Sequence, residues 1–317
     1  MKSIASAPGK IILFGEHFVV YGIKAILCSI DKRITATSQF LDENVIRIRS
    51  SLGDSVMELN SLNNLEDVPQ KFMKPFFHIA QKAIEENSAK QGIEIVLESE
   101  IPAGVGLGSS SAACVATTAS VNGLFSRLSK DEIVKKAIEA ERIIFEQNSG
   151  ADSSVSTFGG LMTYDLKNGF QNIPSRNDLS FIIANSAQIH NTQDIVQQVK
   201  GFKEKNENIF RKLCEQEIDI INNAIIALKE NNLNQLGSLM LKNHELLKQI
   251  GISTEKIDQL VIEAKKTSYG AKITGAGGGG CIISLVDNLN MKNTLDNLRK
   301  LSDCFVAKID YSGLLYE

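Results

Sequence analysis

Pro102-Ala103-Gly104-Val105-Gly106-Leu107-Gly108-Ser109-Ser110-Ser111-Ala112-Ala113 sets three alternating glycines ahead of a run of serines. From Ser109 to Phe125 the chain is rich in Ala, Ser and Val and carries no charged residue. As a helix that run predicts burial on nearly every side. Glycines let a backbone approach a ligand closely and turn successive N–H groups inward. A helix N-terminus adds unpaired donors and partial positive charge. Together they make an anion site sized for phosphates. A serine hydroxyl at that helix start can also ligate Mg²⁺. No Gly-Lys-Ser/Thr follows, so this is not a Walker A loop. Ser109 stands where the dinucleotide fingerprint has its third glycine. A serine-capped glycine turn with no ligand is the plainer alternative.

Outward from this loop the pattern is mixed. Val45–Arg49 and Ile93–Leu97 alternate at period two, as half-buried strands do. A helix is predicted between them, from about Lys71 to Glu86. Ser129-Lys130-Asp131-Glu132 opens another, expected to run to about Gln147. Asn148 to Asp152 then reads as a loop, with a strand near Leu161–Tyr164. Phe170 to Asp178 is polar and irregular, and the domain boundary is placed there. Thr192 to Thr267 reads as mostly helical. A strand, a glycine turn, a strand, a helix and a strand close the chain from Ala271 to Lys308. This order suggests two α+β domains sharing a cleft.

The 317 residues are too many for one simple core. Net charge is −3, which offers no basic face for nucleic acid. No apolar run approaches the roughly 18–20 residues that cross a bilayer, and the N-terminus has no signal-peptide pattern. No membrane partner is therefore expected. The five cysteines, at 28, 114, 214, 281 and 304, never fall in CxxC spacing. That fits reduced thiols in a cytoplasm. The four histidines form no HExxH-type cluster.

Two further motifs carry glycines. Pro8-Gly9-Lys10-Ile11-Ile12-Leu13-Phe14-Gly15-Glu16-His17 puts a lysine after a turn, then a short strand and a second turn. Four strand residues advance only about 3.3 Å each, so Lys10 could reach the same small ligand as Glu16 or His17. The chemistry this suits is a cation near a transferring group, beside polar residues that fix a hydroxylated substrate. On this motif alone, a hairpin with a solvated lysine is the better reading. Thr274-Gly275-Ala276-Gly277-Gly278-Gly279-Gly280-Cys281 joins two expected strands. That many glycines are costly in backbone entropy, and a hairpin needs one or two. The excess suggests backbone passing very close to something, although a flexible turn remains open.

Two acids complete the set. Glu141 lies on the helix expected to end near Gln147, and Asp152 lies in the loop after it. They could bracket a Mg·nucleotide, Glu141 as metal ligand and Asp152 as base for a substrate hydroxyl. Taken alone, Glu141 reads better as a solvated helix residue. Asp152 sits in the small-residue segment Ser149-Gly150-Ala151-Asp152-Ser153-Ser154-Val155-Ser156-Thr157, which can pack closely on a ligand.

In this order, the three motifs with Ser149–Asp152 between the second and third resemble the galactokinase, homoserine kinase, mevalonate kinase and phosphomevalonate kinase superfamily, from Ala7 to Leu285. Gly15-Glu16-His17-Phe18-Val19-Val20-Tyr21-Gly22, Ser156–Gly160 and Asn243-His244-Glu245-Leu246-Leu247 resemble its mevalonate kinase branch most. The aspartate that galactose enzymes carry soon after the histidine is absent. So is the Gly-Glu-Tyr of the phosphomevalonate enzymes.

The resemblance implies an α+β two-domain small-molecule kinase fold. An N-terminal ribosomal-protein-S5-like domain (1–175) would bind ATP. A helical and ferredoxin-like C-terminal domain (176–317) would follow, with the active site in the cleft between them. It implies transfer of the γ-phosphate of ATP to the primary hydroxyl of (R)-mevalonate, in isoprenoid biosynthesis, with Mg²⁺. Lys10 and Asp152 would be catalytic, Lys10 making the substrate hydroxyl more acidic. Pro102 to Ala112 would bind the nucleotide, and Ser110 and Glu141 would hold the metal. Glu16, His17, Thr192, Gly275, Ala276 and Gly277 would bind substrate. A homodimer is left open. Two positions depart from relatives. His190 replaces a base two residues before Thr192, and Asn148 replaces a proline. Adenine contacts are expected between Ser50 and Leu65. A kinase for a related alcohol such as phosphomevalonate, or a nucleotide sensor without catalysis, are the competing readings.

Overall fold

The computed structural model describes residues 1–59, 65, 68–102, 104–146, 148–174, 178–189 and 191–317. Ala103, His190, residues 60–64 of the expected adenine stretch and the boundary at Ser175–Arg176 lie outside the described residues.

The first sheet is built on two long strands, β1 (Lys2–Phe14) and β2 (Ala25–Leu41). It is completed by β3 (Val45–Ser50), β4 (Gly53–Glu58), β5 (Gly92–Ser99), β6 (Leu161–Asp165), β7 (Gly169–Asn172) and β12 (Leu315–Tyr316). The order is β12-β1-β2-β5-β3-β4, and only the β3–β5 pairing is parallel. β2 changes partners along its length: Ala25–Cys28 pair with β6, and Ile34–Leu41 pair with β5. On this sheet pack α1 (Lys74–Glu86), α2 (Ser109–Asn122) and α4 (Ala151–Phe158), and α3 (Lys130–Glu141) packs against those three helices. Helix α2 is the centre of that layer, and every residue from Ser111 to Asn122 is buried. Its small side chains let β1, β2 and three helices approach it closely.

The second sheet holds β8 (Ser180–Asn185), β9 (Gly270–Thr274), β10 (Cys281–Val286) and β11 (Cys304–Lys308), ordered β11-β8-β10-β9 and fully antiparallel. Between β8 and β9 run α5 (Thr192–Lys205), α6 (Glu207–Lys229), α7 (Leu233–Gln249) and α8 (Glu255–Lys265), and α9 (Met291–Arg299) joins β10 to β11. Setting α5–α7 aside, the β-α-β-β-α-β succession with this order is the ferredoxin-like arrangement. After β11 the chain returns to the first sheet, where β12 pairs with β1.

Four local expectations are corrected. Pro8-Gly9 is not a turn; it is a register shift inside the continuous strand β1. There the Lys10 amide leaves the ladder to donate to Leu107 O at 2.9 Å. Helix α3 stops at Glu141 rather than near Gln147. The Asn148 amide side chain donates back to the Glu141 carboxylate at 2.8 Å. A helix continued to residue 148 would carry it about 10 Å along the axis, out of reach. Asp152 lies in the first turn of α4, not in a loop, because Gly150 takes a left-handed N-cap conformation (φ 77°). Gly169–Asn172 forms a strand against β6, where irregular chain was expected.

Candidate active site

Three loops meet where the two sheets face each other. The first motif ends in a turn, Gly15–His17, that enters a short 3-10 helix (Phe18–Tyr21). The second runs into α2. In it Val105 and Leu107 are buried while Gly104 and Gly106 are exposed with left-handed backbone. A side chain built on either glycine would meet nothing within 4 Å, so the loop borders open space. Gly108 caps α2 without any side-chain hydrogen bond, which leaves the first-turn N–H groups for a ligand. Gly108 also packs on Lys10: a Cβ there would lie 2.7 Å from Lys10 Cγ. The third motif, between β9 and β10, is tied to the first. The Thr274 hydroxyl accepts from the Ile12 amide at 2.9 Å and donates to Ile12 O at 3.0 Å. His17 Nε2 lies 2.7 Å from Ala276 O. Gly275 approaches Gly106 O, so the second and third loops adjoin.

Lys10 and Asp152 come together, Nζ to Oδ2 at 3.1 Å. The lysine side chain is only 7% exposed and the aspartate 35%, so the pair opens on the cleft from the carboxylate side. Glu141 is buried, which removes its reading as a solvated helix residue. Its carboxylate accepts from Ser111 Oγ at 2.6 Å, from Ser153 Oγ at 2.5 Å and from Asn148 Nδ2 at 2.8 Å. Burial pushes its carboxyl upward, against these three donors, and the nearby Asp152 charge adds to the rise. The α2 serine that donates to Glu141 is Ser111, while Ser110, expected at the metal, is exposed at the start of α2. His17 is pulled below the ordinary histidine value by burial, which its bond to Ala276 O opposes.

Two expected residues stand differently. Glu16 does not present its carboxylate to the cleft. It is buried in an ion pair with Lys272 Nζ, both side chains 0% exposed. A buried ammonium requires a counter-charge, and Glu16 is the one supplied. Thr192 is exposed in the first turn of α5, with no side-chain hydrogen bond among the described residues.

Three residues were not singled out from sequence. Lys272 sits mid-strand in β9. Glu217, on α6, accepts from the Gly15 amide at 2.9 Å and from Asn243 Nδ2 at 2.6 Å. Burial, and then the charge of Glu16, push the Glu217 carboxyl up to about 7. For Glu16 and Lys272, burial drives the carboxyl up and the ammonium down, and their mutual attraction resists both. Ser153 holds Glu141 from α4. For Lys272 and Glu217 the one local signal was a charge inside an otherwise apolar strand or helix stripe, which names no partner; Ser153 carried none.

The residues present fit a magnesium ion. The donor set is oxygen only, and Glu141 has about one lone pair left of roughly four after its three bonds. Among the described residues no group of three or more His, Cys, Asp or Glu gathers on its own as a metal cage.

Comparison with known proteins agrees with this geometry. Residues 74–160 match the model described as the N-terminal domain of GHMP kinases, and residues 224–303 match the GHMP kinase C-terminal domain. A mevalonate kinase of Pyrococcus furiosus is 37% identical over 305 residues, covering 91% of this chain and 90% of that protein. The chain belongs to the mevalonate kinase family of GHMP kinases. A family member from Methanocaldococcus jannaschii is 35% identical over 94% of this chain and 96% of its own length. The crystal structure of the Methanococcus jannaschii mevalonate kinase superposes with a TM-score of 0.86 at 30% identity, covering 97% of this chain and 98% of that one. The two-domain GHMP kinase fold is therefore shared along essentially the whole chain.

Proposed function

We propose that this chain is an ATP-dependent alcohol kinase that transfers the γ-phosphate of ATP to the primary hydroxyl of (R)-mevalonate, giving 5-phosphomevalonate and ADP. The observation that carries the reading is the Lys10–Asp152 contact, 3.1 Å long, set beside the uncapped N-terminus of α2. Phosphoryl transfer asks for alignment and charge neutralisation more than covalent work. Asp152 would accept the proton of the attacking hydroxyl and Lys10 would neutralise charge on the transferring group. Pro102 to Ala112, with Gly104 and Gly106 facing open space, would wrap the phosphates. Ser110 and Glu141 would hold Mg²⁺, which would supply charge neutralisation to the phosphoryl transfer.

His17, Gly275, Ala276 and Gly277 would form the substrate side, with Thr192 nearer the cleft mouth, and Glu16 would act from inside the protein. The division into an ATP-binding part (1–175) and a C-terminal part (176–317) rests on the change of sheet between Asn172 and Ser180. The five unpaired cysteines support a reducing, cytoplasmic setting.

The test is ADP release with Mg·ATP and mevalonate, phosphomevalonate, galactose or homoserine. Turnover on mevalonate alone is expected. Turnover confined to another alcohol overturns the substrate assignment, and none with any of the four overturns the kinase reading for this class.

A further inference from the structure

The buried stripe of α6 runs Phe210, Leu213, Glu217, Ile220, Ile221, Ala224, at helical spacing. Glu217 is the carboxylate in that stripe, wholly inaccessible to solvent. Burying an ionisable group in an apolar stripe is costly unless its partners are supplied, and packing alone would favour leucine there. What Glu217 touches is specific: the Gly15 amide on one oxygen and Asn243 Nδ2 on the other. Next to it stands the Glu16–Lys272 pair.

The turn that Glu217 grips is unusual. Gly15 and His17 both have left-handed backbone, at φ 95° and 59°, with Glu16 between them. A side chain on Gly15 would come within 2.6 Å of Lys24 O and 2.5 Å of Ala25 Cα, so the glycine is wedged against β2. No side chain caps the 3-10 helix that follows. The same face of α6 supports that helix: Phe210 stacks on Phe18 at 5.9 Å and meets Tyr21 edge-on at 4.8 Å. Two rungs of one helix therefore hold the first motif, an aromatic rung under Phe18 and a carboxylate rung under Gly15. His17 then spans to the third glycine loop through Ala276 O.

We propose that Glu217 is a positioning residue that fixes the Gly15–His17 turn, and through it the contact of His17 with the Ala276 loop, so that the alcohol substrate meets a preformed surface. The proposal rests on the kinase reading above. Glu217 touches no reacting atom and acts through Gly15 and His17. A misplacement of about 1 Å in such a surface can cost on the order of a hundredfold.

The test uses Glu217→Leu, which completes the apolar stripe, and Glu217→Gln, whose side-chain oxygen can still accept from Gly15. For Glu217→Leu the expected result is a rise of about tenfold or more in KM for mevalonate, with KM for ATP within about twofold. Thermal stability should fall, since the Gly15 amide and Asn243 Nδ2 lose their buried acceptor, so the split between the two KM values and the His17 resonance carry the test. Glu217→Gln should keep both KM values within about threefold. In parallel, the His17 imidazole is followed by proton NMR, assigned with His17→Gln. Its resonance should move in Glu217→Leu and stay in Glu217→Gln.

An unchanged mevalonate KM together with an unchanged His17 resonance in Glu217→Leu overturns the proposal. So does Glu217→Gln raising KM for ATP and mevalonate alike, which Glu217→Gln reports even if Glu217→Leu does not fold. A wild-type protein silent on mevalonate sinks the functional reading instead, and the His17 resonance then decides the positioning claim on its own.

Discussion

Two lysine–carboxylate contacts lie on either side of the first motif, and they are built in opposite ways. Lys272 and Glu16 are sealed, with neither side chain exposed, and the buried Glu217 carboxylate lies near them. Lys10 and Asp152 meet at 3.1 Å with the aspartate side chain 35% exposed. The sealed pair spans the two sheets, from the turn after β1 to β9. The open pair joins β1 to the first turn of α4 at the edge of the cleft. A charge that must meet a reactant needs a solvent-accessible face, and a charge that must hold a turn does not. Accessibility thus separates the two roles where residue type cannot.

The largest break in that comparison should come from the open pair. Asp152→Asn is expected to lower kcat by on the order of 10⁴-fold while KM for ATP stays nearly constant, because it removes proton acceptance and leaves the phosphate loop intact. Steady-state kinetics check this, and near-full turnover would remove Asp152 as the base. Stability should fall by less than on breaking the sealed pair, because the aspartate side of this contact is open to solvent although Lys10 is buried.

The sealed pair should show the reverse bias. Lys272→Met strands the Glu16 carboxylate next to Glu217, and removing one partner of a buried pair costs about 3–5 kcal/mol. Urea unfolding measures it. A loss below about 1 kcal/mol would show that Glu16 relaxes to solvent, and the division between sealed and open pairs would fail. Lys10→Met, by contrast, should unfold at nearly the wild-type urea midpoint yet turn over poorly.

The same cluster gives a pH signature of intermediate size. Glu217 has a folded value of about 7 against 4.5 unfolded, so the folded state binds the extra proton between those values. Its contribution is fully present below about pH 4.5 and is lost as pH rises through about 7. The groups facing it are Glu16, Lys272 and Asn243, with Cys214 on its own helix. His244 runs the other way: burial lowers it from 6.5 to about 4, so its contribution is lost as pH falls through that window. The difference between Glu217→Gln and wild type cancels His244. Relative stability of Glu217→Gln should climb from pH 4.5 to 7 and then level, by at most about 3 kcal/mol. A flat difference would mean that the carboxyl is not perturbed in the folded protein.

What the sequence disclosed follows from the same contrast. The glycine loops were legible because their chemistry is local: Gly104 to Ser111 states both a close backbone approach and a helix start. Asp152 was legible from its small neighbours, although its helix was not, since Gly150 as a left-handed cap leaves no hydrophobic period in an eight-residue helix. The end of α3 was hidden because it goes with a side-chain bond from Asn148 back to Glu141, which no hydrophobic period reports. Lys272 and Glu217 were hidden for a stronger reason. Their meaning lies in contacts 256 and 202 residues away, with Glu16 and with Gly15, and no window of sequence contains both ends.

The smallest effect separates two adjacent serines. Ser110 and Ser111 are successive on α2, so their side chains point about 100° apart. Ser111 turns inward and donates to Glu141 at 2.6 Å, while Ser110 is exposed at the same helix start that would face the phosphates. If Ser110 supplies a metal oxygen directly, Ser110→Ala removes a ligand, and the Mg²⁺ needed for half-maximal rate should rise about tenfold, worth about 1.4 kcal/mol. Ser111→Ala leaves Glu141 with two of its three donors, Ser153 and Asn148, and should shift the requirement by only about threefold. Titrating Mg²⁺ at fixed ATP reads both. The reverse ranking would make Ser111 the ligand and its bond to Glu141 the state that metal binding must break. Equal and unchanged requirements would take both serines out of the metal's reach.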